Sequence, residues 1–530
     1  MALDVTSGDG RVVAFLDLGT NSVRLLLVRV HPGHYYTVIT QQKEVVRLGE
    51  GEFDAQRLQP AAMDRAILVC RKFVELAQAY NAAEIIAVAT AATREATNQG
   101  EFLHRLQREA NLDVHVISGR EEARLVFAGV ASGLHLGARR LVFLDIGGGS
   151  TEVIVGDGQE YSYLDSLKLG AIRLTNLYLA GETGPIPPGR YAQLRNHVHN
   201  AAMRTLQHLQ GQHFDLAVGS SGTVENLAEV AARRYLKRRR RRDDIFTFAQ
   251  LQGVTQMLCT LSVEERRKVP GLNPERADII IAGAAIFETL MAVLDLPAFC
   301  FSDRGLRDGL LEDYLARTEH APLVAGLSVR ERSVLQLGRT CAFDEPHART
   351  VERLAVELFD SARAIGLHPF GEAERELLAH AALLHDLGAF LSYTNHHAHS
   401  YYFIRNAELL GFNEEEVGIV AATAFFHRRT YPKPRHPEFA ELDTRPRRVV
   451  ETLCVLLRIA ESLDRSHTGA VKHAALRPSG KKSLALELTA DSDCQLELWG
   501  VQHHSAAMEK AFHRRLVIAS AYIADDLSEP

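Results

Sequence analysis

Two short stretches of the chain carry residue types suited to phosphate chemistry. Asp17-Leu18-Gly19-Thr20-Asn21-Ser22 and Asp145-Ile146-Gly147-Gly148-Gly149-Ser150-Thr151-Glu152 each place an Asp at the end of an apolar run and follow it with glycine and small polar residues. Glycine lets main-chain amides come close to an anion, and hydroxyl and amide side chains add neutral donors. The carboxylates would repel phosphate directly but can hold a divalent ion, alone or through water. The first turn taken alone is explained equally well by an ordinary hairpin. The second is more specific, because three consecutive glycines are entropically costly in a purely structural turn. A third segment, Ala217-Val218-Gly219-Ser220-Ser221-Gly222-Thr223, again sets small donors after an apolar stretch, before a helical pattern at Val224–Arg233.

The elements that must position these loops are legible as patterns. Val12–Val30 reads as strand, tight turn and strand, and the same order returns at Leu141–Gly156. Two such units, each with an Asp ending the first strand, indicate a duplicated domain. Between them lie helical periodicities at Ala61–Tyr80 and Gln99–Ala110 and a strand at Glu84–Thr90, an alternation that indicates an α/β architecture. From Leu323 the texture changes to amphipathic helices, expected at Ser328–Thr340, Thr350–Ile365, Gly371–Asp386, Glu414–His427 and Arg447–Asp464. The end reverts to strands, expected at Ala474–Arg477, Leu484–Leu488 and Gln495–Trp499, with a helix from Ser505. The expected domains are therefore 1–132 and 133–318 (α/β), 319–468 (helical) and 469–530 (small α+β).

At 530 residues the chain exceeds one hydrophobic core. Its net charge of −6 gives no general reason to expect nucleic acid or an anionic membrane as partner. No apolar run approaches the roughly 20 residues of a membrane-spanning helix, and Met1–Arg11 lacks the pattern of a secretory signal. Six scattered cysteines without CxxC spacing argue against a disulfide framework and fit a reducing, cytoplasmic setting. The run Lys237–Arg242 (KRRRRR) reads as a solvated helix end or as a patch that steers polyanions. Of the 24 histidines, 15 fall at or after His320, which indicates separate chemistry in the C-terminal region.

The segments FLDLGTNSVRLLL (15–27), VATAATREA (88–96), VISGREEARLVFAGV (116–130), LVFLDIGGGSTEVIVG (141–156), LGAIRLT (169–175), VGSSGT (218–223) and SDRGLRDGLL (302–311) together resemble the exopolyphosphatase / guanosine pentaphosphate phosphohydrolase family, within the actin-like ATPase superfamily. The resemblance implies duplicated actin-like (ribonuclease H-like) domains and assigns roles. Glu121, the first Glu of the S-G-x-E-E-A-R motif, is the implied general base, with Glu122 the alternative; adjacent helical residues point in different directions. Arg94 is the implied phosphate-binding arginine. Asp145 and Glu152 are the implied Mg²⁺ ligands, with Asp17 facing them. Gly19, Thr20, Asn21, Ser22, Gly147, Gly148, Gly149, Ser150, Ser221 and Gly222 would line the phosphate path.

In the histidine-rich region, His347, His385-Asp386 and Asp464 follow the order H…HD…D and resemble the HD phosphohydrolase domain. They are the candidate ligands of a second divalent metal, with His399 and His427 as further contacts. The expected activity is release of orthophosphate from the ends of linear polyphosphate. The same chemistry on guanosine pentaphosphate is the near alternative, and an ATP-dependent kinase or a non-catalytic sensor of polyphosphate or alarmone is more remote. A homodimer is implied by the resemblance only.

Overall fold

The structure is a computed structural model and describes residues 10–32, 35–134, 139–157, 160–317, 327–407, 409–428, 430–480 and 482–523. The expected boundary at 318 falls outside the described residues. The chain divides into two compact units, Met1–Gly326 and Leu327–Pro530.

In the first unit, strands β1 (Arg11–Leu18), β2 (Ser22–His31), β3 (Tyr35–Val45), β4 (Glu84–Ala89) and β5 (His115–Val116) form a sheet in the order β3-β2-β1-β4-β5. The first three strands pair antiparallel and the last three parallel. A second sheet repeats the plan. It contains β6 (Leu141–Ile146), β7 (Thr151–Gly156), β8 (Tyr161–Leu167), β9 (Leu216–Ser220), β10 (Ile245–Thr247) and β11 (Ala298–Phe301), in the order β10-β11-β9-β6-β7-β8. Again the hairpin strands are antiparallel, while β6, β9 and β11 are parallel. The duplication read from the two Asp-ended turns is thus a duplication of topology. Both β1 and β6 are buried almost throughout, as expected of the central strand of a sheet covered on both faces.

Two helices lie between these sheets and hold the site in place. Gly119–Ala131 and Leu306–Arg317 share a core with Val13 and Phe15 of β1, Phe143 of β6 and Val218 of β9. They cross at two glycines. A Cβ on Gly309 would lie 1.8 Å from Leu125 O, and one on Gly129 would lie 2.1 Å from Gly305 O, so any side chain there would push the helices apart. The first helix begins at Ser118, whose Oγ accepts from Glu121 N at 3.1 Å, a cap that contributes about 1 kcal/mol.

The second unit is a helical bundle whose core continues into a three-stranded sheet, β12 (Val471–Pro478), β13 (Ser483–Ala490) and β14 (Arg515–Ile523). Here one expectation is corrected. Gln495–Trp499 is not a strand but the start of the helix Gln495–Gln502, and the third strand is β14, parallel to β13. The alternation Gln-Leu-Glu-Leu-Trp fits a strand locally. Packing decides otherwise: Glu497 is buried and accepts from Ser466 N at 3.1 Å, and Gly500 passes close to Ser462. Short apolar runs carry this ambiguity generally.

Candidate functional site

The two glycine loops meet in one cleft of about 260 Å³, lined by Asp17, the 19–22 loop, Glu122, Asp145, the 147–150 loop, Ser221 and Gly222. Each loop closes identically. Gly19 N donates to Ser22 O at 3.1 Å, and Gly147 N donates to Ser150 O at 3.0 Å. Carbonyls of the second loop are tied back, since Gly148 O accepts from Ile172 N and Gly149 O accepts from Arg173 Nε. The amides of Gly148 and Gly149 enter no main-chain hydrogen bond among the described residues, which leaves them as donors for an anion. Their lack of side chains also has a packing reason: a Cβ on Gly149 would meet Thr20 Oγ1 at 2.8 Å, and one on Gly148 would meet Thr20 Cβ at 2.9 Å. In the third loop Ser221 is held at φ +68°, a strained conformation for a residue with a Cβ, and Gly222 makes room for the Arg276 guanidinium.

Strand register sets the charges. Asp17 of β1 stands opposite Arg24 of β2, which stands opposite Lys43 of β3. In the second sheet the equivalent row is Asp145, Glu152 and Ser166. Ser220 Oγ donates to Asp145 at 2.7 Å and Ser166 Oγ donates to Glu152 at 2.8 Å. Burial raises the pKa of Asp17, Asp145 and Glu152; the carboxylates of Glu122 and Asp145 add to the effect on Glu152. Glu122 is pushed up to about 7, first by burial and against the pull of Arg94. Such a set favours a cation or proton among its members.

The sequence-expected residues do not all gather here. Glu121 turns away from the cleft into an ion pair with Arg124 at 2.7 Å, and that hydrogen bond lowers its pKa. Glu122 is the Glu of this pair that lines the cleft. The helix thus packs with the position after Glu121 facing the carboxylates. Arg94 donates from Nη1 to Glu122 Oε2 at 2.9 Å and to Ile117 O at 2.9 Å. It lines an adjoining cleft with Arg120, Ser150, Lys168 and Arg173. Five further cations that the sequence reading missed line the main cleft: Arg24, Lys43, Arg276, Arg304 and Arg307. Burial lowers Arg276 to about 10, and desolvation with Arg24 lowers Lys43 to about 8. The signal was available for Arg24, a lone charge inside the apolar run Val23–Val28, but not for Lys43, which joins it only through β-pairing. Within the basic run, Arg240 bonds Asp303 at 2.7 Å, and Asp303 lines the cleft.

In the helical unit, His347, His385 and Asp386 converge, with ligand atoms within 4.8 Å of one another, and Asp386, His396 and His427 form a second such group. Asp464 is not among them. Its Oδ2 lies 2.8 Å from His347 Nδ1 and its Oδ1 accepts from Gly469 N at 2.8 Å.

The duplicated sheets, the crossed helices and the cleft between two Asp-ended hairpins define a protein of the actin-like fold with a phosphoanhydride hydrolase site. Comparisons with known proteins agree. Residues 26–318 match the Ppx/GppA phosphatase family and residues 329–505 match domain III of the Ppx/GppA phosphatases. The chain belongs to the Ppx/GppA phosphatase family. Among similar solved structures, an exopolyphosphatase from Cytophaga hutchinsonii is 24% identical, with 99% of it covering 60% of this chain at a TM-score of 0.53. An exopolyphosphatase-like protein is 25% identical, with 98% of it covering 58% of this chain at a TM-score of 0.53. A Ppx/GppA family member from Aquifex aeolicus is 28% identical, with 99% of it covering 59% of this chain at a TM-score of 0.49. Among the described residues, no helix is long and apolar enough to cross a membrane.

Proposed function

We propose that this chain releases orthophosphate from the ends of linear polyphosphate, with Glu122 as general base. The observation that carries this reading is the mixed charge of the cleft. Its lining brings the carboxylates Asp17, Asp145 and Glu122 together with the cations Arg24, Lys43, Arg276 and Arg307. A polyanion whose last phosphate is to be attacked by water needs both kinds of group. Among the described residues Phe301 is the one aromatic in its lining, so a guanine base would find little to stack on, which favours polyphosphate over guanosine pentaphosphate.

The donor set suits a hard divalent ion of the magnesium type. Asp17, Asp145 and Glu152 offer oxygen ligands, yet they are not among the groups whose ligand atoms converge within 4.8 Å. One or two carboxylates completed by water and phosphate oxygens match the habit of Mg²⁺. When bound, such an ion offsets charge on the phosphate oxygens. The rest falls to the chain's own residues. The amides of Gly148 and Gly149 and the Ser221–Gly222 turn bind the terminal phosphate, and the cations hold the following ones. Arg94 occupies one oxygen of Glu122 and fixes the carboxylate. Its other oxygen accepts a proton as water attacks the terminal phosphorus. The bridging P–O bond then breaks, its electron pair leaves with the shortened chain, and Glu122 later gives its proton to solvent.

Phosphate release by the purified protein should be compared on long polyphosphate, guanosine pentaphosphate and ATP, with Mg²⁺ and with chelator, for wild type, Glu122→Gln and Glu121→Gln. Polyphosphate should be the best substrate. Turnover should fall by about 10²–10⁴-fold in Glu122→Gln and by less than about threefold in Glu121→Gln, which lies off the cleft. The reverse order of the two variants would return the base to Glu121, and a preference for guanosine pentaphosphate would make that the substrate.

A further inference from the structure

We propose that the cleft adjoining the active site binds orthophosphate and takes up the product while the shortened chain still fills the main cleft. That the ion is the product rests on the polyphosphatase reading; that the cleft binds orthophosphate does not. This second cleft measures about 750 Å³, and Ser150 lines both clefts. Around Ser150 the wall between them consists of two side-chain hydrogen bonds, Arg94 to Glu122 and Ser166 to Glu152. In each pair the donor residue lines the second cleft.

The lining is rich in donors that the chain itself leaves unused. Arg94 makes both of its hydrogen bonds with Nη1; its Nη2 lies beside Gly119, 3.7 Å from where a Cβ would stand there. Gly119 and Arg120 open a helix of 13 residues, and their amides donate to no acceptor among the described residues, as first-turn amides do when nothing caps them. Lys168 and Arg173 share the single carboxylate of Glu95, at 3.2 and 2.8 Å. Asp165 is taken by Thr205 Oγ1 at 2.6 Å and Ser166 N at 2.9 Å. Arg120 is exposed and forms no ion pair among the described residues. Guanidinium, ammonium and helix-start amides in one cleft suit a small oxyanion.

One acceptor narrows the choice of anion. Glu52 lines the same cleft, is only 1% exposed, and its Oε2 is buried without a hydrogen-bond partner. Burial pushes this carboxyl up to about 7. A buried oxygen without a partner is costly, and a ligand that shares a proton with it removes the cost. Orthophosphate keeps an O–H at neutral pH, whereas sulfate and the internal phosphates of a polyphosphate chain carry none. Whichever of the two holds the proton, orthophosphate and Glu52 make one hydrogen bond; sulfate makes it only after Glu52 has taken up a proton. Position supplies the link to turnover. The terminal phosphate sits on the amides of Gly148 and Gly149, next to Ser150, and the rest of the polyphosphate chain occupies the way it came in.

Equilibrium dialysis of the purified full chain against radiolabelled orthophosphate tests the site without turnover, with chelator present and unlabelled long polyphosphate in excess to fill the main cleft. Wild type should bind one orthophosphate per chain and prefer it to sulfate by about 10–100-fold. Arg120→Gln combined with Lys168→Gln should lose that ion; both residues are exposed, and circular dichroism checks the fold. Glu52→Gln should erase the preference over sulfate. During turnover with Mg²⁺, half-inhibition of the double variant should need about 10–100-fold more added orthophosphate than wild type, at an unchanged KM for long polyphosphate. Undiminished orthophosphate binding by the double variant would overturn the proposal, as would an unchanged preference in Glu52→Gln. A raised KM would overturn it too, by giving the second cleft to the polyphosphate chain. If wild type leaves polyphosphate intact, the polyphosphatase reading fails and the dialysis alone decides the orthophosphate site.

Discussion

The two halves of the N-terminal unit use the same sheet, the same turn and the same three-strand row, yet they place opposite charges in it. In the first half the row runs Asp17, Arg24, Lys43; in the second it runs Asp145, Glu152, Ser166. The scaffold provides a buried position at the end of the central strand and one beside it on each neighbour. What occupies the neighbours decides the task. Burial raises the Asp17 pKa, and Arg24 and Arg307 only partly offset that rise. In the other row burial, and after it the carboxylates of Glu122 and Asp145, raise the Glu152 pKa well above its ordinary value. The cleft thus combines a cation-bearing row from one sheet with a carboxylate-bearing row from the other.

The comparison breaks most visibly on the carboxylate side. Asp145→Asn should lower turnover on polyphosphate by about 10²–10⁴-fold, the range for losing a catalytic group, and should raise the Mg²⁺ concentration needed for half-maximal rate. Steady-state rates over a Mg²⁺ series check both, and an unchanged Mg²⁺ requirement would remove Asp145 from the ion's ligands. A smaller effect is expected opposite. Arg24→Gln should lower kcat/KM by about 10–100-fold, equivalent to about 1.5–3 kcal/mol for a charged hydrogen bond, mainly through KM. The loss should shrink on tripolyphosphate if Arg24 holds phosphates behind the one attacked. A loss confined to kcat would instead place Arg24 at the reacting phosphate.

The smallest effect concerns pH. Lys43 carries its charge below about 8 and loses it above. Polyphosphate affinity should therefore weaken as pH rises through about 8, seen as a rise in KM. Lys43→Arg stays charged throughout this range and should flatten the rise, and Lys43→Gln should be uniformly weak. If the profile of Lys43→Arg follows that of wild type, the titrating group is another one.

Much of this site was legible from composition and local pattern. The glycine turns, the Asp residues ending each first strand and the hairpins around them are properties of ten or so consecutive residues, because turn chemistry and strand alternation act locally. His385-Asp386 likewise stood out as adjacent residues of metal-ligand type. What local pattern left open shares one physical origin. Glu121 and Glu122 are neighbours about 100° apart on a helix, and which of them enters the cleft depends on how Gly129 and Gly309 let two helices cross. Lys43 reaches the cleft only by pairing with Arg24, and Gln495–Trp499 becomes helical only against the bundle. Asp464 bonds His347 rather than completing a ligand set, a choice made by side chains 117 residues apart.

By itself, then, the sequence determined which chemistry the chain could carry: phosphate-binding turns, paired acids, a helix bearing two glutamates and a histidine-rich bundle. Only the tertiary structure decided which glutamate faces the cleft, which cations line it, and that His385, His396 and His427 converge on Asp386. Residue type and turn geometry are written within a few positions, whereas helix phase, strand register and convergence arise from packing between distant segments.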